Sequence, residues 1–462
     1  MKSFVYVIFL SVIAALGGFL FGYDTAVISG TTEDVRSFYN LTDFQQGWYV
    51  GSAILGCILG VLIAGRLSDA FGRKPILMVS AVLFSVSSIG CMIYSGFDQL
   101  VLYRIIGGAG IGVVSIIAPL YISEISIPKY RGRMVSCYQL AITVGILASY
   151  LTNAAVLKWS QTVQYESGFM KLIINDQVWR GMLGMETFVA LLFLFVLFLI
   201  PESPRWQVVK RQDDKALRTF EKIFTSDKAR KEIDEIRDVV SKETKSDWRL
   251  LLKPGFRIAL VTGVCLAMLG QFMGVNAVFY YGPKFLLDAG LEKTASLDFQ
   301  VWVGLVNVLS TILAMMMIDK IGRKKLIYIG VSGMIVFLTG IGLFFNSIAV
   351  GQAVSIWVLF CLILAYVFSS AISISAVIFV LLSEMYPARV RGSAMSVAGF
   401  SLWVGTFLIG QLTPWLTTSL SAAGVFWLFG VMCIPYMLIT YFLVPETTGK
   451  SLEDIEREWT EK

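Results

Sequence analysis

No histidine occurs anywhere in the 462 residues, which excludes a His-ligated metal site and a His general base. Charge is scarce as well: 15% of the residues are Asp, Glu, Lys or Arg and 56% are hydrophobic, whereas ordinary soluble domains carry about 25% charge. A water-soluble fold cannot cover that much apolar surface. Cysteine supplies no framework. Cys57, Cys91, Cys137, Cys265, Cys361 and Cys433 stand one apiece in or beside separate apolar runs, without CxxC spacing, so they are expected to pack rather than to pair or hold a metal. The G-x-S-x-G, H-E-x-x-H and G-x-x-x-x-G-K-[ST] patterns are all missing. Their absence argues against an enzyme and, for want of a P-loop, against ATP-driven pumping. Nothing in the chain asks for a cofactor or a metal.

What the chain has instead is a series of apolar runs of about 20 residues, the length that crosses roughly 30 Å of hydrocarbon at about 1.5 Å per residue. Twelve spans are expected, near 4–29, 46–66, 75–96, 99–123, 134–157, 182–200, 257–287, 300–318, 325–346, 352–384, 393–418 and 424–444. The first run is long and no small-residue cleavage site follows it, so it reads as a retained span and not a signal peptide. The net charge of +6 matters less than where the charges lie. Lys and Arg gather after spans 2, 4, 8 and 10, which by the positive-inside rule makes those loops and both termini cytoplasmic; nucleic acid is not an expected partner. The spans divide into six-helix bundles over 1–200 and 255–444, joined by a linker over 201–254 and followed by a tail over 445–462. Helical apolar spacing over 213–224 and 228–240 makes the linker a set of short surface helices.

The two bundles repeat. Asp69, Gly72 and Arg73 recur 250 positions on as Asp319, Gly322 and Arg323; Glu124, Arg131 and Gly132 recur 260 on as Glu384, Arg391 and Gly392; Pro201 and Glu202 recur 244 on as Pro445 and Glu446. Three motifs in one order at nearly one offset indicate duplication of a six-span unit, so the fold class is an all-α polytopic membrane protein of twelve helices in two pseudo-symmetric bundles. Such a fold suits alternating access about a midplane site. Acidic and basic residues at the helix ends, Arg205 among them, then form a cytoplasmic gate of breakable ion pairs; their other reading is mere orientation in the membrane.

Three ionisable residues, Asp24, Arg104 and Glu186, fall inside spans, where each charge costs about 2.5–3.5 kcal/mol on insertion scales. Asp24 and Arg104 would offset that cost by pairing. A nearby Arg favours the carboxylate and low dielectric favours the neutral acid, so withdrawing the Arg would let the Asp take up a proton. The other reading is a structural ion pair. Gln139, Gln271, Asn276 and Asn307 are amides within apolar stretches; they serve either helix-to-helix hydrogen bonds or a polar solute. The halves are unequal at this level. Gly22 and Asp24 correspond to Gly274 and Asn276, both 252 positions on, and the apolar Leu364 stands near the place corresponding to Arg104.

The stretches GRLSDAFGRK (65–74), PESPRW (201–206), GQFMGVNAVFYYGP (270–283), DKIGRKK (319–325) and PETTGKS (445–451) resemble the signatures of the major facilitator superfamily and its sugar porter family, over nearly the whole chain. FGYDTAVISG (21–30) is most similar to bacterial xylose/proton symporters. The resemblance implies a monosaccharide or polyol as substrate and protons as the coupled ion, the protein working as a monomer in the lipid bilayer of a bacterial inner membrane. It implies proton coupling through Asp24, Arg104 and Glu186. The four amides, with Tyr280 and Trp403, match sugar-site positions, and Phe21 is a candidate wall for the sugar ring. The chain also departs from the family pattern. Gly270 replaces one of two adjacent glutamines, Ile146 and Leu402 stand where xylose symporters carry further glutamines, and Ser375, Ala376 and Phe379 replace a Gly-Pro pair and a Trp in span 10. Fewer hydroxyl partners favour a different sugar, a deoxysugar or a polyol, and no proline remains to bend span 10. A facilitative uniporter and a transporter-like nutrient sensor stay open, the second disfavoured by the short linker and tail.

Overall fold

The computed structural model describes residues 2–93, 96–127, 130–242, 254–386 and 390–445, and all regular structure among them is helical. The first half contains α1 (Lys2–Val27), α2 (Thr32–Tyr39), α3 (Asp43–Phe71), α4 (Arg73–Ile93), α5 (Phe97–Ile125), α6 (Arg131–Thr162), α7 (Val178–Gly184) and α8 (Glu186–Leu197). The linker contributes α9 (Pro204–Val209), α10 (Asp213–Phe220) and α11 (Ser226–Lys242). The second half contains α12 (Pro254–Phe272), α13 (Val275–Asp288), α14 (Lys293–Ile321), α15 (Arg323–Ala349), α16 (Ile356–Ile372), α17 (Ile374–Met385) and α18 (Arg391–Phe442).

Eleven helical segments among the described residues are long and apolar enough to cross a membrane. The last, α18, has 52 residues, or about 78 Å at 1.5 Å per residue, more than twice the hydrocarbon thickness. Ser421 within it has φ 64° and ψ 164°, a break in the helix, so α18 is two spans and the total is twelve. Two further spans are interrupted. Span 7 is α12 and α13 on either side of Gly274, whose φ is +86° and where a Cβ would stand 2.2 Å from the Phe429 ring. Span 10 lacks a proline yet is broken between α16 and α17 at Ser373, with φ −114° and ψ −92°. Here a serine replaces the proline bend: Ser373 Oγ donates back to Ser369 O at 2.6 Å, a geometry that bends helices. Gly330 on α15 makes room for it, since a Cβ there would lie 2.2 Å from Ser373 Oγ.

The described chain divides into two compact units, Met1–Thr31 with Ser52–Lys245 and Thr32–Gly51 with Ser246–Lys462. In the first unit α1 packs on α6 and α4 on α5; in the second, α12 packs on α18 and α15 on α16, so the duplication in sequence is a duplication in packing. Small residues set the closest approaches in the first unit. Gly56 and Gly60 on α3 face Gly108 and Gly112 on α5, and a Cβ on Gly108 would stand 1.8 Å from Ala53 O, the small-xxx-small geometry of close membrane helices. Gly22 and Gly145 do the same for α1 and α6, with Ile142 O at 1.9 Å and Phe19 O at 2.1 Å from the added carbons. Gly22 and Gly274 are repeat mates with different work: one admits a neighbouring backbone, the other breaks a helix.

The linker helices are where the apolar spacing put them, around a small core of Val208, Ala216, Phe220, Ala229 and Ile233. The short helix α2 was not legible from the spans; in the second unit its Asp34 pairs with Lys293. The cysteines are all free, but they are not uniformly packing residues: Cys57, Cys91 and Cys433 are buried, whereas Cys137 and Cys361 are exposed. A thiol is apolar enough for the outer face of a span.

Candidate transport site

Buried charge marks the site in the first unit. Asp24 on α1, Arg104 on α5 and Glu186 at the start of α8 come together although 162 residues separate the first from the last, at 1%, 2% and 2% exposure. Arg104 NH1 forms an ion pair with Asp24 Oδ1. The Glu186 carboxyl lies within hydrogen-bonding reach of the Asp24 side chain. Neither Asp24 Oδ2 nor Glu186 Oε1 receives a nitrogen or hydroxyl donor among the described residues. The surroundings are small: a Cβ on Gly107 would meet Ser87 Oγ at 2.5 Å and come within 4.0 Å of Asp24 Oδ2. Cys57 on α3 and Cys91 on α4 are buried in the same unit. Phe21 and Gln139 are half-buried on α1 and α6.

The second unit holds the amides. Gln271 ends α12 and Asn276 begins α13, so the Gly274 break brings them face to face: Asn276 Nδ2 donates to Gln271 Oε1 at 2.8 Å. Thr406 on α18 reaches the same oxygen at 3.1 Å and Leu402 O at 2.9 Å. One hydroxyl proton serves both acceptors, which leaves Gln271 Oε1 open to a competing donor. Sequence reasoning missed Thr406, because a threonine in a span carries no signal by itself. Tyr280 is 4% exposed and Asn307 5%, and the Asn307 amide makes no side-chain hydrogen bond among the described residues. Trp403 is half-buried one turn before Thr406. Phe379 on α17 is 51% exposed. A Cβ on Gly270 would meet Ile374 Cγ2 at 3.3 Å, so a side chain there requires Ile374 to shift slightly.

The repeated loop motifs form ion-pair clusters in each unit. In the first, Arg73 grips both Glu124 oxygens at 3.0 Å, Ser203 Oγ donates to Glu124 Oε2 at 2.6 Å, and Asp69 receives Arg73 NH1 at 3.1 Å from an exposed position. Glu202 accepts the backbone N–H of Arg73 at 2.8 Å and of Ser203 at 2.7 Å. Burial still holds its carboxyl above the usual carboxylate range, against those donors. Gly72 makes this turn possible with φ +104°, where a Cβ would lie 2.2 Å from Glu202 Oε2. In the second unit Gly322 has φ +93°, Arg323 pairs with Glu384 at 2.9 Å and Arg391 donates to Tyr386 O at 3.3 Å. Lys74 donates to Ile200 O and Lys324 to Val444 O, both at 2.8 Å, an exact structural echo of the sequence repeat. The Asp319 side chain, Glu446 and the expected tail lie outside the described residues. Arg131 and Arg205 make no ion pair among the described residues and line a cavity instead.

Twelve spans in two related bundles, with buried charge in one and an amide cluster in the other, define a major facilitator-type membrane transporter. A family model described as "Sugar (and other) transporter" matches residues 10–459, and the chain belongs to that family of transport proteins. It is 37% identical to the arabinose-proton symporter of Bacillus subtilis (strain 168), covering 98% of this chain and 95% of the relative. It is 34% identical to the D-xylose-proton symporter of Escherichia coli (strain K12), covering 98% and 96%. Among solved structures, the xylose transporter of Escherichia coli in an inward-open conformation aligns with a TM-score of 0.84 at 33% identity, over 98% of this chain and all of that one.

Proposed function

We propose that the protein moves a monosaccharide or a related polyol across the membrane by alternating access, in symport with protons. The observation that carries this reading is the buried group of Asp24, Arg104 and Glu186. Two buried acids share one arginine, which is paired with Asp24, so the second acid is left without a compensating charge. When a rocking motion carries the guanidinium away, low dielectric favours the neutral acid. Proton occupancy and conformation are then one equilibrium. The named activities of the relatives, arabinose-proton and xylose-proton symport, support both the sugar class and the coupling.

On this reading Gln139, Gln271, Asn276, Asn307, Tyr280 and Trp403 bind the solute, with Phe21 and Phe379 as apolar walls. Gln271 Oε1 is the acceptor for which a sugar hydroxyl competes with Thr406. With Gly270 in place of a second glutamine, the solute makes fewer hydrogen bonds than in xylose symporters. The clusters around Arg73 with Asp69, Glu124 and Glu202, and around Arg323 with Glu384, act with Arg131, Arg205 and Arg391 as the cytoplasmic gate, to which the sequence repeat adds Asp319 and Glu446. Both termini are cytoplasmic and the membrane is a bacterial inner membrane, in keeping with the bacterial relatives. A single chain carries every named group, so a monomer suffices, in lipid and without nucleic acid.

The test uses cells expressing the protein in weakly buffered medium, challenged with sugars and polyols preselected by thermal shift of the purified protein, because a ligand of the native state raises its apparent stability. The solute that stabilises the protein is expected to alkalinise the medium on addition. Uptake of that solute without any pH change would contradict symport and leave a uniporter.

A further inference from the structure

The two gate arginines without partners are the least explained charges outside the buried triad. Arg131 at the start of α6 and Arg205 in α9 line one cavity of about 100 Å³ together with Glu124, Glu232, Phe220 and Phe224. Neither side chain makes a hydrogen bond or ion pair among the described residues. Glu124 is turned to Arg73 and Ser203 and makes no bond to either arginine among the described residues. Glu232 is then the one uncommitted carboxylate facing two guanidiniums. Ser123 and Ser126 at the rim spend their hydroxyl protons on Leu120 O and Ile122 O. The volume is several times the roughly 30 Å³ share of one water. A planar guanidinium is best satisfied by a bidentate oxyanion, carboxylate or phosphate, and basic pockets beside membrane spans take anionic headgroups. In the second unit Arg391, the repeat mate of Arg131, donates instead to the Tyr386 carbonyl.

We infer that this cavity binds a phosphate group, carried either by an anionic lipid headgroup or by a free phosphate in solution, and that occupation fastens α10 and α11 to the end of α5. The apolar wall of Phe220 and Phe224 belongs to the linker's own core, so filling the cavity ties the linker to the bundle. Glu232 opposes the ligand and sets its affinity.

The experiment uses the full-length protein in phosphatidylcholine nanodiscs, its thermal midpoint titrated with inorganic phosphate at constant ionic strength. A parallel arm mixes phosphatidylglycerol into the discs without phosphate. A saturable rise with inorganic phosphate assigns a soluble phosphate, and a rise confined to the phosphatidylglycerol arm assigns a lipid. In whichever arm responds, Arg131→Gln and Arg205→Gln are each expected to raise the half-saturating concentration roughly tenfold, the loss of one charge-assisted contact. Glu232→Gln is expected to lower it about threefold by removing the opposing charge, and it serves if the arginine variants fold poorly. No saturable rise in either arm, or a rise that all three substitutions leave unchanged, overturns the inference. Transport is not read, so the outcome does not depend on the sugar or the proton.

Discussion

At the scale of single residues, the proposed solute half-site turns on one oxygen. Gln271 Oε1 is held at 2.8 Å by Asn276 and at 3.1 Å by Thr406, and a threonine with two acceptors is a partner that a sugar can displace. Thr406→Val keeps the shape and removes the hydroxyl. A neutral hydrogen bond is worth about 0.5–1.5 kcal/mol, so KM for the transported solute is expected to change by about 2- to 12-fold with the maximal rate little altered; initial-rate uptake checks it. The acids and the arginine of the triad were legible because charge in hydrocarbon is costly and therefore conspicuous. Thr406 was not, because threonine is unremarkable in a span until its neighbours are known. The exposure of Cys137 and Cys361 was hidden for the same reason: a run hydrophobic all round does not say which side faces out.

Elements are decided by glycine and serine. The spans were readable from apolar length alone, but their interruptions were not: Ser373 breaks span 10 with no proline nearby, and Ser421 separates two spans that otherwise run on as one helix. The first depends on a tertiary contact, the space that Gly330 leaves for Ser373. The crossing of α3 and α5 depends on glycine in the same way. A Cβ on Gly108 would press on the Ala53 carbonyl at 1.8 Å, whereas Gly132 and Gly399 have nothing within 4 Å. Overpacking of a tight core costs about 1–3 kcal/mol, more when backbone must move. Gly108→Ala is therefore expected to lower the thermal midpoint and the yield of monodisperse protein, while Gly132→Ala behaves as wild type; size-exclusion profiles across a temperature ramp distinguish them.

For the whole molecule, the duplication that the loop motifs announced recurs in detail, down to Lys74 and Lys324 donating to carbonyls 244 residues apart. Short motifs transmit this because each turn needs its own glycine and its own ion pairs. What the motifs do not convey is how each unit is specialised: Asp24 pairs with Arg104, while its repeat mate Asn276 turns to Gln271. Buried charge thus belongs to the first unit and the amide cluster to the second, and the proposed coupling requires that both report to one conformational equilibrium. The central claim is that Asp24 carries the proton that drives accumulation. Proteoliposomes with an imposed pH gradient, acid outside, measure it directly with wild type and Asp24→Asn. The wild type is expected to concentrate labelled solute, whereas the variant does not concentrate it yet still exchanges it in counterflow; undiminished accumulation by Asp24→Asn would contradict the account.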